Sequence, residues 1–241
     1  GEKKRSNQFF ALLLLNEVGV LGVFSALDFF LFYIFWEVVL IPMFFLIGIW
    51  GGPRKDYAAI KFFIYTHVAS LIMLLSIFGL YFSYRTPEGM RTFDMMTLLQ
   101  ATGDSTIFSP MLLNVIFFGL LFGFLVKMPA VPFHTWLPDA HVEAPTAGSV
   151  LLAALLLKMG GYGLFRIVMP MLPNVSANYI TLMAVIGVVS IVYGGFLALS
   201  QKDLKKMVAY SSVSHMGYVL LGAGALSVLS VQGAMFQQFS H

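Results

Sequence analysis

The stretch Met111-Leu-Leu-Asn-Val-Ile-Phe-Phe-Gly-Leu-Leu-Phe-Gly-Phe-Leu-Val-Lys127-Met-Pro129-Ala-Val-Pro132-Phe-His134-Thr-Trp-Leu-Pro-Asp-Ala-His141 decides how this chain folds. From Met111 to Val126 almost every residue is apolar, and apolar character resumes at Phe133. Roughly 20 such residues carry an α-helix across about 30 Å of hydrocarbon. Between the two parts stand a lysine and two prolines. Each proline lacks an N–H, so the carbonyls of Leu125 and Met128 lose their usual i+4 partners. In hydrocarbon they need water or side chains instead. The pattern predicts a membrane helix broken beside Lys127, the kind of break that lines hydrated ion pathways in transporters. The plainer alternative, a helix ending at Met128 with Lys127 snorkelling to an interface, fits poorly with the apolar residues that continue to His141.

Composition extends this reading to the whole chain. Hydrophobic residues make up 59% and charged residues 10%, and the mean hydropathy is +0.87. A soluble domain does not have this balance. The alternation of a membrane β-barrel is missing, so the expected class is an all-α, polytopic transmembrane bundle. Apolar runs cover about 9–27, 28–50, 57–84, 111–141, 146–169, 179–200 and 206–229, with an eighth starting near Val231. That gives about seven spans and the start of another. Gly51, Gly52 and Pro53 close the second run, and the polar residues 85–109 read as an extramembrane loop.

Residues 1–8 are polar and basic, without a cleavable signal pattern. There is no initiator Met and no polar tail, so the sequence is expected to be an internal piece of a longer protein. Counting spans places Lys3, Lys4, Arg5, Arg54, Lys55, Lys202, Lys205 and Lys206 on one face, against Arg85 and Arg91 on the other. This is the positive-inside pattern, and it puts the N-terminus on the cytoplasmic, matrix or stromal side. It also accounts for the net charge of +3 without a nucleic-acid partner. The absence of cysteine excludes thiolate-held iron–sulfur or zinc centres in this chain.

Against this background Glu17, Glu37, Lys127 and Lys158 stand out, each near the middle of an apolar run. A charge at a helix centre costs about 2.5 to 3.5 kcal/mol, so such residues need partners, water or a function. Glu37 has Pro42 about one turn on. Lys158 lies too far from either end of its span to snorkel easily, and Gly160, Gly161 and Gly163 beside it permit close helix approach or local water entry. Fixed structural hydrogen bonds or ion pairs are the alternative for each. Glu17 adjoins no proline or glycine break and divides evenly between interhelical contact and relay. The histidines are His67, His134, His141, His215 and His241. Histidine exchanges protons near neutral pH, and His134 and His141 are seven apart, on one expected helix face. No Walker loop, dinucleotide fingerprint, HExxH or GxSxG is present, which argues against nucleotide chemistry and hydrolysis.

The tract from Lys127 through Thr-Trp-Leu-Pro-Asp-Ala-His-Val-Glu-Ala-Pro-Thr-Ala-Gly-Ser149, continuing to Leu-Leu-Leu-Lys158-Met-Gly-Gly-Tyr-Gly, resembles the antiporter-like chain M, or subunit 4, of proton-pumping NADH:quinone oxidoreductase, complex I. Phe-Trp-Glu37-Val-Val-Leu-Ile-Pro, Lys61-Phe-Phe-Ile-Tyr-Thr and Gln201-Lys-Asp-Leu-Lys-Lys-Met-Val-Ala-Tyr-Ser-Ser-Val-Ser-His215-Met-Gly fit the same family, so the resemblance covers essentially the whole chain. It implies an antiporter-like fold of inverted five-helix repeats, with 9–170 as the first repeat and 179–241 as the truncated beginning of the second. It matches Glu37 to the family's key glutamate, Lys127 to the lysine of the broken helix and Lys158 to the central lysine. It also places His134, His141, His215 and His241 on a hydrated polar axis.

The same resemblance implies proton transport driven by quinone reduction elsewhere in the complex. This chain would bind no cofactor; NADH, FMN, Fe–S clusters and quinone would belong to partner subunits. Its neighbours would be other antiporter-like membrane chains and the lipid bilayer, most naturally in a bacterial inner membrane. Glu37 and Lys127 are expected to form a switchable ion pair. A subunit of a multisubunit Na+/H+ antiporter, or of a related membrane-bound hydrogenase or ferredoxin-linked complex, would use the same acids and lysines. A noncatalytic scaffold or haem-binding bundle is the third class, motivated by the histidines.

Overall fold

A computed structural model describes residues 5–104 and 107–241. Gly1 to Lys4, which include Lys3 and Lys4 of the charge count, and Ser105 and Thr106 of the expected loop lie outside the described residues. The described residues are helical throughout, apart from connecting turns and one isolated bridge between Asp28 and Asp94.

Helices α1 (Ser6–Ser25), α2 (Phe29–Val38) and α3 (Leu40–Trp50) come first, the last two forming one span interrupted at Val39. Helix α4 follows (Lys55–Ser83). The connection expected as a plain loop contains a helix of its own, α5 (Met95–Thr102), whose N-cap Asp94 accepts a hydrogen bond from the Thr97 amide at 2.7 Å. Next are α6 (Pro110–Lys127) and α7 (Trp136–Glu143), the two sides of the proline break. Helix α8 (Thr146–Met171) includes π turns at Leu152–Leu156 and Gly163–Val168. A short α9 (Pro173–Asn178) leads to α10 (Ile180–Leu199), α11 (Leu204–Gly224) and α12 (Val228–Ser240).

Six of these stretches are long and apolar enough to cross a membrane: α1, α2 with α3, α4, α6, α8 and α10. The seventh expected span, α11, has 21 residues, but Lys205, Lys206, Ser211, Ser212, Ser214 and His215 dilute its apolar character. It lies against α10 with backbone on backbone. A Cβ on Gly217 would sit 2.8 Å from Gly187 O, and one on Gly224 would sit 2.7 Å from Ala184 N. Small residues permit such approach, and in lipid this packing holds helices together. The outward faces are apolar, with Leu75, Met111 and Phe196 largely exposed, as a lipid-facing surface requires.

The two ends of the bundle are tied separately. At one end, Gly52 N donates to Glu143 O (2.9 Å), and Lys205 Nζ donates to Ala144 O (3.1 Å). At the other, Phe29 N donates to Phe93 O and Met95 N to Leu27 O, each at 2.9 Å. The turns bearing Arg54, Lys55 and Lys205 therefore share an end, as the charge count predicts.

Candidate functional site: a polar track through the bundle

Lys127 is the last residue of α6 and is 1% exposed. Its ammonium lies 5.4 Å from the centre of the Trp36 ring and 5.9 Å from that of Phe62, but among the described residues Nζ has no hydrogen-bond partner. The backbone around the break fares better. Leu125 O, expected to need water or a side chain, accepts from the Ala130 amide at 3.0 Å. Val126 O accepts from the Trp136 indole at 2.9 Å, and Val131 N donates to Ser190 Oγ at 3.0 Å. The break thus satisfies these main-chain groups internally and leaves the lysine ammonium unpaired among the described residues.

The sequence leads one to expect a switchable ion pair between Glu37 and Lys127, and in this structure Glu37 is bonded elsewhere. Glu37 Oε2 is 2.7 Å from His67 Nδ1, and Oε1 accepts a hydrogen bond from the Ser70 hydroxyl. Among the described residues no ion pair joins Glu37 to Lys127. The cause lies in helix geometry: consecutive residues project about 100° apart. Trp36 faces Lys127, so Glu37 turns toward α4. His67 in turn stacks on Phe63, ring centroids 5.2 Å apart. The sequence reading left His67 without a role; its signal was the polar set Thr66, His67 and Ser70 inside an otherwise apolar span.

Further along, Lys158 Nζ contacts His241 Nδ1 at 2.7 Å and donates to Ala153 O at 2.6 Å, within the π turn. His241 Nε2 meets Ser212 Oγ at 3.0 Å. His215 lies beside this chain, its ring 5.2 Å from that of His241 and its Nδ1 3.0 Å from Gln237 Nε2. It is exposed in this chain. Gly160 serves close approach: a Cβ there would come within 2.7 Å of Phe124 O and 2.8 Å of Met128 N. This seats the helix bearing Lys158 directly on the broken end of α6.

His134 and His141 are both buried, and among the described residues Nδ1 of each has no hydrogen-bond partner. They do not share a helix face as expected, since His134 precedes α7 in a run of turns. Its ring packs near Tyr193 and Tyr210, at 5.7 and 6.3 Å between centroids. Toward the basic end lies a charged cluster that the sequence reading did not single out. Lys61 pairs with Asp139 at 2.7 Å, while Arg54 reaches Asp139 at 3.6 Å and Glu143 at 3.7 Å. The signal was available: Asp139 and Glu143 are four apart on α7, so they point the same way.

Glu17 stands apart from all of this. It is exposed on α1 and lines an apolar groove with Phe10, Leu14, Val150 and Leu155. The buried group at that depth is its neighbour Asn16, which donates to Val39 O at 3.2 Å where α2 gives way to α3.

Comparison with known proteins gives a consistent picture. A family model described as NADH:quinone oxidoreductase/Mrp antiporter, TM, matches residues 26–241. F(420)H(2) dehydrogenase subunit M of Methanosarcina mazei is 56% identical over 243 residues, covering 100% of this chain and 48% of that protein. NADH-quinone oxidoreductase subunit M of Pseudomonas aeruginosa is 47% identical over 247 residues, again covering 100% of this chain and 48% of the relative. A chain in the structure of respiratory complex I from Thermus thermophilus with bound NADH superposes with a TM-score of 0.77 at 29% identity, over 96% of this chain and 51% of its own length. The chain thus spans about half the length of the curated relatives it matches.

Proposed function

For a chain that belongs to the NADH:quinone oxidoreductase/Mrp antiporter transmembrane family, we propose the function of a proton-translocating membrane subunit of respiratory complex I. It carries the first five-helix repeat, residues 9–170, and the opening of the second, from 179. The observation that supports this most is Lys127, buried at a broken helix with no hydrogen-bond partner among the described residues. An unsatisfied buried polar group costs about 1 to 3 kcal/mol, more when charged. A purely structural lysine would not be placed there unpaired.

Glu37 is bonded to His67, and Lys158 to His241. A carboxylate, amines and imidazoles can each take up and release a proton, and short water bridges between them make a path. Lys127 governs passage: held by a carboxylate it keeps its proton, and released it hands the proton on toward Lys158. Quinone reduction in other subunits supplies the driving force, and this chain performs no redox step. NADH, FMN, Fe–S clusters and quinone are held by partner subunits. Its neighbours are other antiporter-like chains in a cytoplasmic membrane, the inner membrane in a bacterium.

The electron donor is where a second reading has support. The 56% identity to a subunit of F(420)H(2) dehydrogenase supports reduced F420 in place of NADH as the alternative at the distant donor site, with the same role for this chain. Both readings are tested in the intact complex reconstituted in proteoliposomes and supplied with either donor. Lys127→Ala is expected to lower the protons moved per donor oxidised by about tenfold or more. Unchanged pumping would refute the proposed function, and the donor that supports turnover selects between the two complexes.

A further inference from the structure

Glu37 has two possible sets of partners and can hold only one at a time. Both of its carboxylate oxygens are taken by α4, Oε2 by His67 Nδ1 at 2.7 Å and Oε1 by the Ser70 hydroxyl. Lys127 meanwhile faces the ring of Trp36, the residue before Glu37, and has no hydrogen-bond partner among the described residues. Opposite charges in low-dielectric surroundings attract strongly, so something must hold the carboxylate away from the lysine. His67 and Ser70 are placed to do so. They lie three residues apart on one face of α4, and Phe63 stacks on the imidazole at an interplanar angle of 16°. They also sit at the flank of the bundle, where the side chains of Glu37 and His67 are 21% and 36% exposed.

We propose that His67 and Ser70 form a second seat for the Glu37 carboxylate, in competition with Lys127, and that Glu37 moves between the two. The structure shows the carboxylate in the α4 seat. There Lys127 is released, and Glu37 faces the flank, where a group from outside the chain can reach it without entering the bundle. In the other seat Glu37 holds Lys127. His67 and Ser70 act through Glu37 and are positioning residues. What the seat needs from position 67 is a hydrogen-bond donor to the carboxylate.

This inference rests on the reading of the track as a proton path, and the test separates the two. Four variants of the intact complex are compared in proteoliposomes: His67→Ala with Ser70→Ala, Ser70→Ala alone, His67→Gln, and Lys127→Ala. Without the seat, Glu37 settles on Lys127. The double variant is then expected to lose about tenfold or more in protons moved per donor oxidised, and Ser70→Ala alone to lose less. His67→Gln keeps a donor and is expected to retain most of the pumping. A cryo-EM structure of the double variant is expected to show the Glu37 carboxylate within about 4 Å of Lys127 Nζ, ion-pair distance. Undiminished pumping by the double variant, or a carboxylate still apart from Lys127 in its structure, overturns the second seat. If in addition Lys127→Ala pumps normally, the proton-path reading itself has failed. If Lys127→Ala stops pumping while the double variant does not, only the second seat falls.

Discussion

Lys158 Nζ and His241 Nδ1 are 2.7 Å apart although 83 positions separate them in the sequence, and His241 passes the contact on to Ser212 at 3.0 Å through its other nitrogen. An imidazole bonded on both sides can accept a proton at one nitrogen and release it at the other. The contact therefore links α8 to α11 through a titratable group. A methionine or leucine in its place would pack equally well and transfer nothing.

From this contact, His241→Gln in the intact complex is expected to leave helix packing unchanged and to cut proton movement per donor oxidised by about tenfold or more. Gln keeps a hydrogen bond to Lys158 but cannot turn over a proton. Acidification measured in proteoliposomes beside donor oxidation decides the matter. Equal proton yields from Gln and His would mean that His241 only props Lys158 in place.

The charged cluster at the basic end gives a stability prediction. Helix α7 has eight residues, too few to be stable alone, and it is held by Lys61–Asp139 at 2.7 Å and by Arg54 to Glu143 at 3.7 Å. The Lys61 and Asp139 side chains are mostly shielded from solvent, so their bond is worth more than a surface pair, on the order of 1 to 3 kcal/mol. Asp139→Ala is expected to loosen α7 and to red-shift the emission of Trp136, now fully buried at its first turn. Restoring a partner by exchanging the two charges, Lys61→Asp with Asp139→Lys, is expected to recover part of the loss. No difference in emission between Asp139→Ala and the unmodified protein would show that α7 stays put without the pair.

The broken helix, the span order and the stranded lysines were legible because hydrocarbon makes strict demands. An apolar run of fixed length, a proline without an N–H and a charge at mid-depth each leave few structural options. Where Glu37 points was not legible. It depends on which way residue 36 faces, and that is settled by Trp36 filling the space under Lys127, a packing outcome between distant segments. The Lys61–Asp139 pair, separated by 78 positions, was hidden for the same reason. Helix α5 escaped notice because it is short and polar at its borders; its start is marked only by the cap at Asp94.

Gly160 supports a packing prediction. The nearest atoms to an added Cβ are Phe124 O at 2.7 Å and Met128 N at 2.8 Å. Both are backbone at the end of α6, so neither can swing aside as a side chain would. Gly160→Val must push α8 away from the break, at about 1 to 3 kcal/mol for overpacking. In detergent the thermal aggregation midpoint is expected to fall by several degrees, with proton movement falling more than donor oxidation as Lys158 leaves its place. A variant as heat-stable as the unmodified protein would show that the two helices can separate freely.

The pH dependence of helix α5 follows from Asp94, outside the membrane. Its carboxylate accepts from the Thr97 hydroxyl and amide, and these bonds hold its pKa below the ordinary value of 3.8. A carboxyl group with a lowered folded pKa contributes stability that is fully present above the unfolded value and is lost as pH falls through the folded one. Protection of the Thr97 and Leu98 amides against hydrogen exchange, corrected for intrinsic rates, should therefore stay level above the ordinary carboxylate value and decline as pH falls below it. Asp94→Asn keeps a capping oxygen and should flatten that decline, while Asp94→Ala should lower protection by about 1 kcal/mol near neutral pH for a lost cap, a difference that shrinks as Asp94 protonates. An unmodified chain whose α5 amides are equally protected at pH 6 and pH 2 would leave the cap no role in holding this helix.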